Sequence, residues 1–183
     1  MSFADADLIA RVLSHEDQNA FGELVRRYQS PLRAFLARMT HGDTHLADDL
    51  AQETFLKVWR KLGTYREGAR FSTWLFAIAF NEFRNACRRR REFLIDDLED
   101  SPGLEEPTAD ANTPLRLDLN SALKLVNPSE RAAIVLCCQN GFSQEDAAQI
   151  LNCPLGTVKT NILRGKEKLK RRLAIDYEHY ETA

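Results

Sequence analysis

Apolar residues recur at three-and-four spacing through most of the chain, and no stretch alternates as a half-buried strand does. The period predicts a short helix over 5–14 and a longer one over 18–39. In the longer one Phe21, Leu24, Val25, Tyr28, Leu32, Phe35, Leu36 and Met39 form one stripe. Pro31 lies inside it and is expected to kink or interrupt it. His41-Gly42-Asp43 breaks the pattern, and Asp43 or Thr44 is placed to cap the next helix. Over 44–62 the buried side is Leu46, Leu50, Phe55, Val58, Trp59 and Leu62. Asp48, Asp49, Gln52, Glu53 and Leu56 lie away from it. After Gly63 and the loop TYREGAR, residues 71–91 read FSTWLFAIAFNEFRNACRRRR. Leu75, Ile78, Ala79 and Ala86 define the buried side of this helix, with Phe71 and Trp74 near it. Asn81, Arg84 and Arg88 point away, beside an exposed Phe80.

Residues 92–113 lose the period and read as a linker, rich in acids and punctuated by Pro102, Gly103 and Pro107. A different pattern follows. Helix 115–126 leads to Asn127-Pro128-Ser129-Glu130, where Asn127 can cap, Pro128 suits the first helical position and Glu130 closes a capping box. That helix runs to the stop signal Asn140-Gly141. Ser143 with Asp146 starts the next, 144–151, which buries Ala147, Ala148 and Leu151. Asn152 and Cys153 make a tight turn, and Pro154 fits the first position of a last helix. The predicted fold class is all-α: two small helical domains, 1–92 and 114–183, joined by an acidic flexible linker, 93–113.

The formal net charge of −2 hides a segregation of sign. Arg70, Arg84 and Arg88 to Arg91 are opposed only by Glu82. Glu92 to Asp110 carries acids and no Lys or Arg. From Leu155 to Leu173 the chain is basic again, with Lys159, Arg164, Lys166, Lys168, Lys170, Arg171 and Arg172 against Glu167. Two cationic segments flanking an acidic one bear on partners more than the sum does.

Composition excludes several classes. Hydrophobic residues make up 44% of 183, enough for packed cores. The start MSFADAD lacks a signal pattern. The longest apolar runs, Trp74–Phe80 and Ala132–Cys138, fall well short of the roughly 18 residues of a membrane span. The expectation is no membrane insertion and a cytoplasmic location. Cys87, Cys137, Cys138 and Cys153 form no C-x-x-C pair and read as reduced thiols packed as small core residues. His41 and His45 have helical spacing, but Gly42 lies between them and no cysteine is near in sequence, so no metal or other cofactor is expected. No nucleophile–base pair, phosphate-cradling loop or carboxylate pair stands out, and no catalytic residue or enzymatic activity is expected.

The last helix carries the chemistry. On a wheel of 100° per residue, Leu155, Val158, Ile162, Gly165 and Leu169 share one face. Thr157, Thr160, Arg164 and Lys168 share the opposite one, with Asn161 at its edge. Short hydroxyls near the N-terminus and cations further along are what a major-groove recognition helix presents: base edges at one end, phosphates along the flank. The capped helix and tight turn before it complete a helix-turn-helix.

The stretch FSQEDAAQILNCPLGTVKTNILRGKEKL closely resembles the final region of the extracytoplasmic-function (ECF) sigma factors of bacterial RNA polymerase, of the sigma-70 family, PLGTVK most tellingly. DLAQETFLKVWRKL and then FSTWLFAIAFNEFRNACRRRR agree independently, in the family's order and spacing. The resemblance covers about 20–91 and about 115–173. It implies an alternative sigma factor that binds core RNA polymerase and directs it to a bipartite −35/−10 promoter. Sigma region 2 would bind the β′ clamp and open the −10 element. Region 4 would bind the β flap and the −35 element, and the linker would thread toward the polymerase active-site and RNA-exit channels. The residues implied for −35 contact are Leu155, Gly156, Thr157, Lys159, Thr160, Asn161, Arg164 and Lys168. Those implied for −10 contact and melting are Phe80, Asn81, Arg84 and Arg88, with Tyr65 and Arg66 in the loop that takes a flipped base. Asp48, Asp49, Gln52, Glu53 and Leu56 are implied to meet core polymerase. An anti-sigma protein is an expected partner.

The chain departs from the family pattern in places. Thr160-Asn161 stands where Ser-Arg is usual, which removes a cation from the reading face and alters base preference. Phe80 and Asn85 replace the usual Arg and Asp, and Val126-Asn127 replaces Leu-Pro. The acids of the clamp-facing helix are kept, so activity is not expected to depend on phosphorylation. The competing reading is a helix-turn-helix regulator on a palindromic operator. It accounts for 143–169 but not for the basic aromatic helix 71–91 or the acidic face at 44–62.

Overall fold

The computed structural model describes residues 4–66, 68, 70–96 and 122–181, with side chains for all of these except 91–96 and 172–181. Helix α1, Asp5–His15, is followed by α2, Gln18–Met39, whose N-terminus is capped by the Asp17 carboxylate accepting from the amides of Asn19 and Ala20. Asp5 receives both Arg27 and the Tyr28 hydroxyl, which pins α1 onto α2. α2 is not interrupted at Pro31. The proline is exposed, where water can serve the carbonyl that a missing N–H leaves unbonded. The turn after α2 places His41 at φ 60° and Gly42 at φ 93°. Asp43 then caps α3, Thr44–Lys61, by accepting from the Leu46 amide.

A 3-10 turn, Leu62–Thr64, leads to α4, Phe71–Asp96. α4 therefore continues five residues beyond the expected boundary, and the remainder of the expected linker, with residues 115–121 of the next expected helix, lies outside the described residues. α5, Pro128–Ile134, is capped by Asn127, which accepts from the Glu130 amide at 2.8 Å while Glu130 accepts from the Asn127 amide at 3.2 Å. From Val135 to Gln139 the helix widens, so that the Asn140 amide reaches back five residues to the Val135 carbonyl at 3.0 Å. α6, Gln144–Leu151, has the Ser143–Asp146 box. It ends at Asn152, left-handed at φ 49°. α7 is Leu155–Glu181. Pro154 stands one position earlier than expected, at the cap: its carbonyl accepts from the Thr157 and Val158 amides.

Among the described residues the elements are all helical. The buried core is continuous across the two domains, running from Leu8 and Leu24 through Phe35, Leu75 and Phe76 to Leu136, Ile150 and Val158. The sequence does not reveal that the domains close on one another. α6 lies along α4, with Phe142 edge-on to Phe76 at 4.9 Å. The Thr73 hydroxyl donates to Asp146 at 3.1 Å. A smaller cluster, Ala122, Leu123, Val126, Ile134 and Leu169, holds the middle of α7 against α5 and the residues before it.

Candidate nucleic-acid and polymerase interfaces

The recognition helix is set by a close crossing. A β-carbon at Gly165 would stand 2.5 Å from Ile134 Cδ1 and 3.2 Å from Val126 Cγ1, so α7 reaches α5 only because this position has no side chain. Val158, Ile162 and Leu169 are buried on the same side, as the wheel requires. Thr157, Lys159, Thr160 and Arg164 are exposed, and Asn161 is half-buried. The Thr160 hydroxyl donates to the Gly156 carbonyl at 2.9 Å, which fixes its rotamer with its methyl group and lone pairs still outward. Leu155 is half-buried and Gly156 is exposed at the first turn.

Lys168 is exposed as the wheel placed it, and it also makes a contact that spacing alone does not show. Its ammonium donates to both oxygens of Glu130, at 2.8 and 3.0 Å, and Glu130 is buried. The 44% exposed side chain keeps its outward position while its ammonium neutralises a carboxylate that α5 holds inside. Leu163, which the wheel did not single out, is 61% exposed beside Thr160 and Arg164. A leucine offers a polar groove nothing except van der Waals contact, as to a thymine methyl.

On α4, Asn81, Arg84 and Arg88 are exposed as expected. Phe80 is not: it is 5% exposed and stacks with Phe83 at 6.4 Å. The physical reason is that α4 buries two sides. One packs on α2 and α3, and the other receives the helix-turn-helix, so a residue opposite the first core face falls in the second. Phe80, Phe83 and Arg84 share a cavity of about 460 Å³ with Leu151, Cys153, Thr157 and Asn161. Tyr65 is half-buried, 5.5 Å from the Trp74 ring and 5.7 Å from Phe71, at the start of the loop whose Arg66 is exposed. Glu82, also unread from the sequence, is buried on α4 and takes the ammonium of Lys57 from α3.

On α3, Asp49, Gln52, Glu53 and Leu56 are exposed, Leu56 by 45%. Asp48 is exposed too but already pairs with Arg33 of α2 through two bonds of 2.6 and 2.7 Å. Trp59, expected in the core, is 36% exposed and edge-on to Phe21 at 4.9 Å. With Val25, Phe55 and Leu56 these rings line an open groove of about 640 Å³ between α2 and α3, which Arg33, Asp48 and Gln52 also line. An apolar floor with a charged rim is the composition of a protein interface rather than of a solvated helix face.

The titratable groups follow from their surroundings. Burial alone would raise Asp146, but hydrogen bonds from Ser143 and Thr73 hold its carboxyl below the ordinary range. Burial pushes the Cys137 and Cys153 thiols up, away from the reactive thiolate. Cys87 and Cys138 are exposed, so the expectation of core packing fails for these two of the four thiols. No helix among the described residues is long and apolar enough to cross a membrane.

Residues 24–93 match Sigma-70 region 2, and residues 116–169 match Sigma-70 region 4. The chain is similar to the RNA polymerase sigma-H factor of Pseudomonas aeruginosa, 33% identical over 92% of this chain and 93% of the relative. It is also similar to the sigma factor RpoE solved in complex with the anti-sigma factor NepR from Bartonella quintana. That match has 31% identity and a TM-score of 0.73, over 85% of this chain and 98% of the other. CnrH, solved with the cytosolic domain of CnrY, matches with 28% identity and a TM-score of 0.71, over 95% and 99%. A regulator on a palindromic operator is not favoured, since the region 2 match accounts for the half of the chain that reading left unexplained. The chain belongs to the extracytoplasmic-function sigma factors of the sigma-70 family, transcription initiation factors that direct RNA polymerase to promoters.

Proposed function

We propose that the two regions divide the work at a bipartite promoter, region 2 over 1–92 and region 4 over 114–183. The outward face of α7 reads the −35 element through Thr157, Lys159, Thr160, Asn161 and Arg164. Asn81, Arg84 and Arg88 of α4, with Tyr65 and Arg66 before it, take the −10 element as it opens. Cations follow the backbone, and the aromatic ring of Tyr65 offers an unstacked base a surface worth about 1–3 kcal/mol. The groove between α2 and α3 receives the β′ clamp, with Leu56 and Trp59 excluding water at its centre and Asp49, Gln52 and Glu53 setting register. The observation that carries this reading is the exposed Thr157–Thr160–Arg164 face on a helix whose opposite side buries Val158, Ile162 and Leu169. The protein acts in the cytoplasm, where polymerase is, and an anti-sigma protein covers its surfaces when it is idle, as NepR and CnrY assemble with the two solved relatives. Run-off transcription with core polymerase and a pool of promoter fragments tests it. New start sites that require the chain are expected; an unchanged start-site pattern overturns it.

A further inference from the structure

The cavity of about 460 Å³ between α4 and the helix-turn-helix has an apolar wall and a single charge. Phe80, Phe83, Leu151 and Pro128 supply the apolar surface. The two rings stand at 27° to one another with centroids 6.4 Å apart. The polar lining is the Arg84 guanidinium, the amides of Asn152 and Asn161, and the hydroxyls of Ser129 and Thr157. No carboxylate is among the lining residues. Cys87 and Cys153 complete the wall, and burial pushes both thiols up, so they stand there as neutral, weakly polar groups.

Two of these residues are departures from the sigma-factor pattern. Phe80 and Asn161 each stand where an arginine is usual, and both line this one cavity. An arginine at either position would bring a long side chain and a second cation. A ring and a short amide leave the space open and leave Arg84 as its only charged side chain.

Small-molecule sites have about this size, roughly 300–1,000 Å³, and this composition: a mostly apolar lining with a few convergent polar groups. The lining also selects the ligand. Phenyl rings favour a planar aromatic body. A guanidinium presents a planar fork of donors that matches a carboxylate, whereas a phosphate monoester would bring close to two negative charges against one cation. A cationic ligand would be repelled, and a neutral one would leave Arg84 without a partner. We propose that this cavity binds a small aromatic carboxylate, with its ring against Phe80, Phe83 and Leu151, its carboxylate on Arg84 and a further hydrogen bond from the Asn161 amide. Arg84, Thr157 and Asn161 are also assigned to DNA above. On that reading, on which this consequence alone rests, ligand and promoter compete for the same side chains.

The test uses the full chain and 1-naphthoate as the probe. 1-Naphthalenemethanol carries the same rings without the charge, and cyclohexanecarboxylate carries the charge without the aromatic rings. Calorimetry is expected to show one site for naphthoate, with a Kd of about 0.1–1 mM, as the size of the probe allows. Each comparison compound is expected to bind at least about fivefold more weakly. Arg84→Gln, at an exposed position, is expected to weaken naphthoate about tenfold, and Asn161→Arg to abolish its binding by filling the space. Lys170→Gln, exposed outside the cavity, should leave it unchanged. Circular dichroism confirms that each variant keeps its helices. Absent binding, equal binding of the neutral alcohol, or an unchanged affinity in Arg84→Gln overturns the site. With core polymerase present, saturating naphthoate is expected to weaken promoter binding severalfold in the wild type and not in Asn161→Arg. Naphthoate that binds without that effect overturns the competition and leaves the site standing. A chain that binds naphthoate and gives no promoter binding with or without it overturns the promoter reading instead.

Discussion

Lys168 of α7 holds Glu130 of α5 through two bonds of 2.8 and 3.0 Å, and the same Glu130 closes the cap of α5 by accepting from the Asn127 amide. One carboxylate therefore ties the start of one helix to the middle of another. Removing its cation leaves a buried charge with a single neutral donor. Lys168→Ala is expected to destabilise the protein by about 1–3 kcal/mol, read as a shift of the urea midpoint at constant slope.

Arg164 makes the contrasting case. It is exposed on the outward face of α7, so Arg164→Ala should leave stability nearly unchanged. It should weaken promoter binding and lower the slope of log affinity against log salt by about one. Titration at several salt concentrations measures this. An unchanged slope would remove Arg164 from the phosphate contacts.

Gly165 lies under Ile134 and Val126 with no room for a branched side chain. Gly165→Val is expected to cost about 1–3 kcal/mol through overpacking and to tilt the reading face away from its position. Gly165→Ala asks the Ile134 terminal methyl to turn aside and Val126 to give slightly, and its gain in helix propensity offsets part of that cost, so its effect should be smaller. Thermal melts of the two variants side by side check the difference.

Leu56 is exposed, and truncating it to alanine should change stability by no more than about 0.5 kcal/mol. Binding to core polymerase should weaken by about 1–2 kcal/mol, roughly 5- to 30-fold, if it is a central contact of the groove. Competition against a labelled chain for core polymerase measures it.

His41 gives a pH dependence with a definite sign. Burial of part of its ring, together with the nearby Arg131 and Lys124 charges, pushes its pKa down from 6.5 to about 4. Between those values the unfolded chain binds more protons than the folded one, so stability rises with pH through the window and is lost as pH falls from 6.5 toward 4. His41→Gln should flatten that part of the profile. Urea midpoints at pH 7.5, 6 and 5 for both proteins test it.

Local signals were legible wherever the physics is local. The Asn127–Glu130 and Ser143–Asp146 boxes, the left-handed Asn152 and the buried row Val158, Ile162, Gly165 and Leu169 all follow from spacing and residue type alone. The misreadings share another cause. A helical wheel assumes one partner, and α4 has partners on two sides, which turns Phe80 from a surface ring into a buried one. A wheel also says nothing of where a long side chain ends, and the exposed Lys168 reaches Glu130 with its ammonium. Trp59 drew inward on hydrophobicity but remains partly open in the groove. Arg131 gave no signal, because a buried arginine is specified here by three backbone carbonyls, two nearby and one 92 residues away, and carbonyls are present at every residue.

The seat of Arg131 also bears on time. To leave the Met39 carbonyl, a guanidinium that is nearly dry must shed one acceptor before solvent can replace it, and the end of α2 must do the same. Breaking that contact is then an activated step, because two polar groups stand bare before water replaces either.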